Sequence, residues 1–146
     1  MKPLKRSVRL VVDTNLFISA LLAGASLPAH LMLLWREGVF DLLTATDQLD
    51  ELKRVTRYPK IRTRLAPTLA GRLINEIRSL AIMVTDLPVV AASPDPYDNY
   101  LLAIASAGSA DFLLTGDKRD LLALKVFVGA RIITVRDFLA MHRRLP

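Results

Sequence analysis

The sequence predicts an α/β protein, a three-layer α/β/α sandwich around a central parallel sheet of about five strands. Three observations carry this. Short apolar runs rich in β-branched residues alternate with longer amphipathic stretches, the pattern of a parallel sheet covered by helices on both faces. The first run, Val8 to Val12, ends without polar alternation and reads as a strand buried on both sides. Apolar residues make up 52% of the 146 residues, a little above the usual range, as such a sheet requires.

The elements follow in order. The first strand stops abruptly at Asp13-Thr14-Asn15, and Leu16 to Leu22 is apolar nearly all round, enough for two turns of buried helix. Ala23-Gly24-Ala25-Ser26 is a turn. Ser26 then caps a helix with Pro28 in its first turn; the helix runs through Ala29–Glu37 and stops at Gly38. Leu31, Leu34 and Trp35 share one of its faces, and His30 reads as a packed helix residue. Val39 to Thr44 is a second strand. Thr46 or Asp47 caps a third helix, Gln48 to about Arg57, which Pro59 ends. Ile61 to Leu65 is a connection. Pro67-Thr68 opens a helix through Leu69, Leu73, Ile77 and Leu80.

Ala81 to Val84 is the third strand, followed by a linker to Ser93. Pro94-Asp95-Pro96 starts a helix that reaches Ala107 and ends at Gly108. Asp111 to Thr115 is the fourth strand. Gly116-Asp117 turns into a short helix, Arg119 to Leu124. Ala130 to Val135 is the fifth strand, and Arg136 to Arg143 the last helix.

The length fits one domain over 1–146, with a core at about 8–140 and a basic tail at 1–6. Cysteine is absent, which excludes disulfides and thiolate metal sites and is compatible with a cytoplasmic location. The two histidines, His30 and His142, lie far apart, so a zinc site built on a histidine pair is not expected. No secretory leader is read at the N-terminus, and no apolar run is long enough to span a bilayer. The net charge of +6 makes a polyanion a candidate partner.

Four acids stand out by position. Asp13 and Asp117 follow predicted strands one and four, so both sit on the carboxyl edge of a parallel sheet, where α/β proteins bind ligands. Asp13 also reads as a helix cap. Glu51 lies within about 40° of Val55 on a helix whose apolar stripe is Leu49, Leu52 and Val55, so it borders the buried face; Asp47 and Asp50 fall on the solvated side. Asp98 follows Asp95-Pro96-Tyr97, a capping arrangement, but shares a face with Leu101, Leu102 and Ala105. Carboxylates converging on one crevice hold protons or cations. Oxygen-only ligands suit Mg²⁺ or Mn²⁺, which can activate water against a phosphodiester.

Between Glu51 and Glu76 there is no acid, while Lys53, Arg54, Arg57, Lys60, Arg62, Arg64 and Arg72 occur there with Tyr58 among them. Beginning on the same helix as Glu51, this run is expected to flank the crevice. Its cations suit phosphates, and Tyr58 suits stacking on an unpaired base. A solvated helix face is the plain reading of the same pattern. The terminal groups Lys2, Lys5, Arg6, Arg143 and Arg144 are weaker signals.

From Val11 to Phe138 the chain resembles the PIN-domain ribonucleases, most of all the small toxins of prokaryotic type II toxin–antitoxin pairs. The resemblance rests on Val12-Asp13-Thr14-Asn15, on Glu51-Leu52 followed by Arg57-Tyr58-Pro59-Lys60-Ile61, on Asp95-Pro96-Tyr97-Asp98-Asn99 and on Leu114-Thr115-Gly116-Asp117. It implies a metal-dependent endoribonuclease using Mg²⁺ or Mn²⁺. The family's acidic quartet falls on Asp13, Glu51, Asp98 and Asp117. Thr14, Asn15, Thr115 and Asp120 fall on supporting polar positions. The resemblance also implies RNA as substrate, a cognate antitoxin and a homodimer. Tyr97 departs from the pattern, since many relatives carry an acid there.

Two other readings compete. A PIN-like fold that binds RNA or protein without catalysis would leave the acids dispensable. A phosphotransferase of the haloacid dehalogenase type also places an acid after strand one, but wants a second aspartate two residues later, where this chain has Asn15.

Overall fold

The computed structural model describes residues 7–116 and 118–144. The basic tail at 1–6, Asp117 and the side chains of Arg143 and Arg144 lie outside the described residues. The chain begins with β1 (Arg9–Val12), α1 (Thr14–Leu22), α2 (Leu27–Arg36), β2 (Asp41–Thr44) and α3 (Thr46–Val55). It continues with α4 (Pro59–Arg62), α5 (Pro67–Leu80), β3 (Ile82–Met83) and α6 (Pro96–Ala107). The last elements are β4 (Phe112–Thr115), α7 (Arg119–Leu124), β5 (Val126–Phe127), β6 (Ala130–Thr134) and α8 (Val135–Arg144).

The strands form one sheet in the order β3-β2-β1-β4-β6-β5. All neighbours are parallel except β5, which pairs antiparallel with β6. β1 lies in the middle, with Val11 opposite Leu43 on β2 and Leu113 on β4. Its side chains alternate between the two helical layers. Leu10 and Val12 point into a core with α1, α2, α3, α5 and α8. Val11 points the other way, against Leu101, Leu102 and Ala105 of α6 and Leu121 of α7. This is why β1 is apolar without interruption from Leu10 to Val12. Phe138 of α8 is fixed edge-on between Phe40 and Phe112, with ring centroids 5.9 and 5.6 Å away.

The expected α/β/α sandwich is therefore observed, with several boundaries corrected. The sheet has six strands rather than about five. The additional strand, β5, is only two residues long, too short for a sequence pattern. Pro59 opens a turn of helix, α4, inside what reads as a connection, because its fixed φ suits a first helical position. Thr46 and Asp47 lie inside α3 rather than capping it, and the N-cap is Ala45 with no side-chain bond. His30 is exposed, since α2 turns Leu31, Leu34 and Trp35 inward and leaves His30 outside. Ser26 caps α2 as expected, its hydroxyl accepting from the Ala29 N–H at 3.3 Å.

The topology prepares the site. From β1 the chain winds outward through β2 to β3, with α1 to α5 on one face. It then crosses back on the other face through α6 to β4, on the far side of β1. The winding reverses between β1 and β4, which opens a crevice at their carboxyl ends. The N-termini of α1, α3, α6 and α7 all lie at that edge, each following a parallel strand, so their dipoles favour negative charge there.

One local conformation opposes its residue. The β5–β6 hairpin turns through Val128 (φ 47) and Gly129 (φ 85), both left-handed. A β-branched side chain pays about 1–2 kcal/mol in that region, whereas asparagine tolerates it. Val128 is exposed and buries nothing in exchange. Val128→Asn is expected to stabilise the protein by about 1 kcal/mol, read as a raised denaturation midpoint at unchanged slope; an equal or lower midpoint contradicts the strain.

Candidate active site

Asp13 ends β1 and is 3% exposed. Its backbone N–H donates to the Leu114 carbonyl at 2.9 Å, which extends the β1–β4 pairing by one residue and pins the carboxylate over the crevice. Its Oδ1 accepts from the Asn15 N–H at 3.2 Å, so Asp13 is the helix cap of α1 as well as a candidate site residue. Its Oδ2 accepts from the Thr115 hydroxyl at 3.0 Å, across the gap between β1 and β4.

Asp98 enters from the other layer. It occupies the first turn of α6 and is 1% exposed. Asp95 caps that helix by accepting from the Tyr97 N–H, which leaves Asp98 to face the sheet. Ser93 donates its hydroxyl to Asp98 Oδ2 at 2.9 Å. The Ser93 loop is held by Asn99, which accepts from the Ser93 N–H and donates to its carbonyl.

Lys118 joins the two acids. Its Nζ lies 3.3 Å from Asp98 Oδ1 and 3.9 Å from Asp13 Oδ2. Burial alone would lower the pKa of this ammonium, but the charges of Asp13 and then Asp98 outweigh it and hold the pKa above its ordinary value.

Glu51 sits on the opposite wall, on α3. Its Oε2 accepts a short hydrogen bond from the Tyr100 phenol and a longer one, 3.4 Å, from the Thr14 hydroxyl. Thr14 and Tyr100 are themselves hydrogen-bonded at 2.8 Å. Burial, and then the bond to Glu51, push the Tyr100 pKa far above the usual phenol range, so Tyr100 remains a proton donor. Behind them Gln48, fully buried, donates to the Val12 carbonyl at 2.6 Å and accepts from the Thr44 hydroxyl at 2.7 Å. The amide thus ties the ends of β1 and β2 to the start of α3.

The structure therefore brings Asp13 and Asp98 together, and places Glu51 beside Thr14, next in sequence to Asp13. Asp117 lies outside the described residues, between Gly116 and Lys118. Thr115 and Thr14 are buried, whereas Asn15 and Asp120 are exposed. Among the described residues, no three acids or histidines form a metal-binding group. Gln48, Ser93, Tyr100 and Lys118 are further residues of the candidate site that sequence reasoning missed. Only Gln48 carried a usable signal, since it lies one turn before Leu52 on the buried stripe.

The basic run divides. Arg54 reaches toward α6, its guanidinium beside Tyr58 and 3.4 Å from the Tyr97 hydroxyl. Lys53, Arg57 and Arg62 line a separate cleft with residues of α5. Lys60 and Arg64 are exposed and line neither.

The residues present fit a divalent cation. Two buried carboxylates already share one positive charge, that of Lys118, and all donors at hand are hard oxygens. Asp13 and Asp98 would hold such an ion. Removing Lys118 leaves both acids facing each other without a counter-charge. Lys118→Met is expected to destabilise the metal-free protein by about 1–3 kcal/mol. Mn²⁺ should then raise its melting temperature more than it raises that of the unaltered chain. Equal metal-induced shifts in the two proteins would remove Lys118 from the account.

Comparison with known proteins agrees with the geometry. The chain is similar to an uncharacterized protein of Methanocaldococcus jannaschii, MJ1680, at 27% identity over 123 residues, which cover 83% of this chain and 77% of that one. Residues 9–119 match the model of the PIN domain, a fold whose members are generally nucleases that typically use divalent metals. With most of its length inside that match, from β1 through the start of α7, the chain belongs to the PIN-domain family.

Proposed function

We propose that the crevice between β1 and β4 is the active centre of an Mg²⁺- or Mn²⁺-dependent endoribonuclease. The observation that carries this reading is the pair of buried carboxylates, Asp13 and Asp98, sharing a cation at the point where the sheet reverses its winding. A metal held by Asp13 and Asp98 would supply water activation and neutralise charge on a phosphodiester. Asp117 is the further ligand proposed from the family resemblance.

The chain's own residues divide the remaining work. Thr115 and the Asn15 N–H hold Asp13 by one oxygen each and so fix the plane of its carboxylate. Ser93 does the same for Asp98 through Oδ2, which turns Oδ1 toward the crevice. Glu51 commits Oε2 to Tyr100 and Thr14, which leaves Oε1 as the oxygen to orient a water and take its proton. Arg54, Tyr58 and Tyr97 lie on the rim beside Glu51 and suit the backbone and an unpaired base of RNA. A role as the toxin of a type II toxin–antitoxin pair completes the reading. Its partners would be RNA, an antitoxin covering the crevice, and a second copy of the chain.

One observation favours a second reading, a PIN-fold binding module without catalysis. Lys118 already satisfies the two carboxylates that a metal would need. No single helix among the described residues is long and apolar enough to cross a membrane.

Cleavage of a panel of structured RNAs, tRNA included, separates the two. Cleavage is expected to require Mg²⁺ or Mn²⁺. Even outer-shell changes at metal sites cost about 10–100-fold, so Asp13→Asn should lower the rate by at least that while keeping a cooperative unfolding transition. Cleavage by Asp13→Asn at the unaltered rate refutes the nuclease reading. Absence of both cleavage and calorimetric metal binding selects the non-catalytic one.

A further inference from the structure

A second basic feature lies away from the acidic crevice. Lys53, Arg57, Arg62 and Arg78 line a cleft of about 300 Å³ between α3, α4 and α5, and Asn75 adds an amide. Residues 51 and 53 are about 160° apart around a helix, so this cleft lies on the flank of α3 opposite Glu51. Among the described residues, no carboxylate lines it. Lys53, Arg57 and Arg62 form no ion pair with any described residue, and Arg78 bonds only the Asn75 side chain there, at 3.2 Å. Four cations converging on one concavity repel one another, and a bound anion relieves that cost.

The floor shows that the cleft is shaped rather than merely charged. Gly71 lies in the interior of α5, where glycine costs about 0.5–1 kcal/mol relative to alanine. A Cβ built there meets nothing within 4 Å, so a side chain would grow into the cleft. Thr56, on the same wall, has its hydroxyl turned back to the Leu52 carbonyl at 2.8 Å. The donors offered to an anion there are those of Lys53, Arg57, Arg62, Arg78 and the Asn75 amide.

We propose that this cleft is a phosphate-binding subsite for an RNA strand, separate from the point of cleavage. The anion's identity as RNA rests on the nuclease reading; the anion site itself rests on the cleft. α3 is about 10–12 Å across with its side chains, so a strand occupying crevice and cleft together extends over the ridge carrying Arg54 and Tyr58. Its length there exceeds one nucleotide. The phosphate is either an internal phosphodiester or a terminal phosphomonoester; both present the same oxygens to paired guanidinium groups.

The test is binding of fluorescein-labelled single-stranded RNA to the full chain in EDTA, followed over a salt series. Arg57→Gln/Arg78→Gln removes charge, and Gly71→Leu fills the cleft while keeping every charge and favouring the helix. Each should weaken binding about ten-fold, as removing a charge-assisted hydrogen bond does. Only the charge variant should also flatten the salt dependence, by about 0.7 in log–log slope for each phosphate it no longer neutralises. Lys125→Gln, exposed at the C-terminal end of α7 and outside the cleft, should change neither. Equal affinity for 5′-hydroxyl and 5′-phosphate strands assigns an internal phosphate, and preference for the latter a terminal one. RNA binding that is the same in all variants overturns the subsite and leaves the nuclease reading standing. Inorganic phosphate bound by the cleft without any RNA affinity overturns RNA as the ligand, here and in the crevice. No binding of either overturns the subsite outright.

Discussion

Burying the Asp13 carboxylate is the constraint on which the rest of the structure depends. A charged group at the end of a strand that is apolar on both faces loses several kcal/mol of hydration unless that loss is matched. Here it is matched by the Thr115 hydroxyl, the Asn15 N–H, the Lys118 ammonium and the N-terminal dipole of α1. These come from three pieces of the fold: β4, the start of α1 and the start of α7. Thr115 reaches Asp13 only because Val12 of β1 lies opposite Leu114 of β4. A shift of one residue would turn Leu10 and Val12 toward the wrong helical layer and part Thr115 from Asp13 at the same time. Core packing and site geometry are thus one condition on the β1–β4 register.

The two helical layers then contribute different things to the crevice. The layer of α1 and α3 brings Thr14, Gln48 and Glu51, locked by hydrogen bonds that start at the Val12 carbonyl. The layer of α6 brings Asp98 and Tyr100, one turn of one helix reaching both walls. Tyr100 crosses to Glu51 while Asp98 stays with Lys118. The hydrogen bonds of Tyr100 and Thr14 therefore hold Glu51 on the α3 wall. Positive charge is sorted too: Lys118 is inside with the acids, Arg54 is on the rim, and Lys53, Arg57 and Arg62 are on the far flank of α3.

Strand and helix identities were legible wherever periodicity was strong. β1, β4, α2 and α6 follow from apolar runs with clear caps at Ser26 and Asp95. Where the sequence reading failed, the elements were either too short to show a period, as β5 and α4 are, or fixed by distant partners. The start of α3 is of the second kind. Its local capping candidates, Thr46 and Asp47, were outweighed by Gln48, whose amide is committed to β1 and β2. His30 failed for a related reason, because an apolar neighbourhood in sequence does not say which side of the helix faces the core.

By itself the sequence determined the fold class, the central place of the first strand and the burial of Asp13 and Asp98, because each follows from local patterns of apolar residues and helix starts. The tertiary structure alone decided which groups accompany those acids. Lys118, Ser93 and Tyr100 carry no periodic or capping signal that would single them out. Their role arises from distance in space, across separations of 20 residues for Lys118 and Asp98 and 49 for Tyr100 and Glu51. The division of the basic run between rim and cleft has the same origin. Helical rotation turns Lys53 about 100° away from Arg54 around α3, and only the packing of α5 turns the Lys53 flank into a cavity.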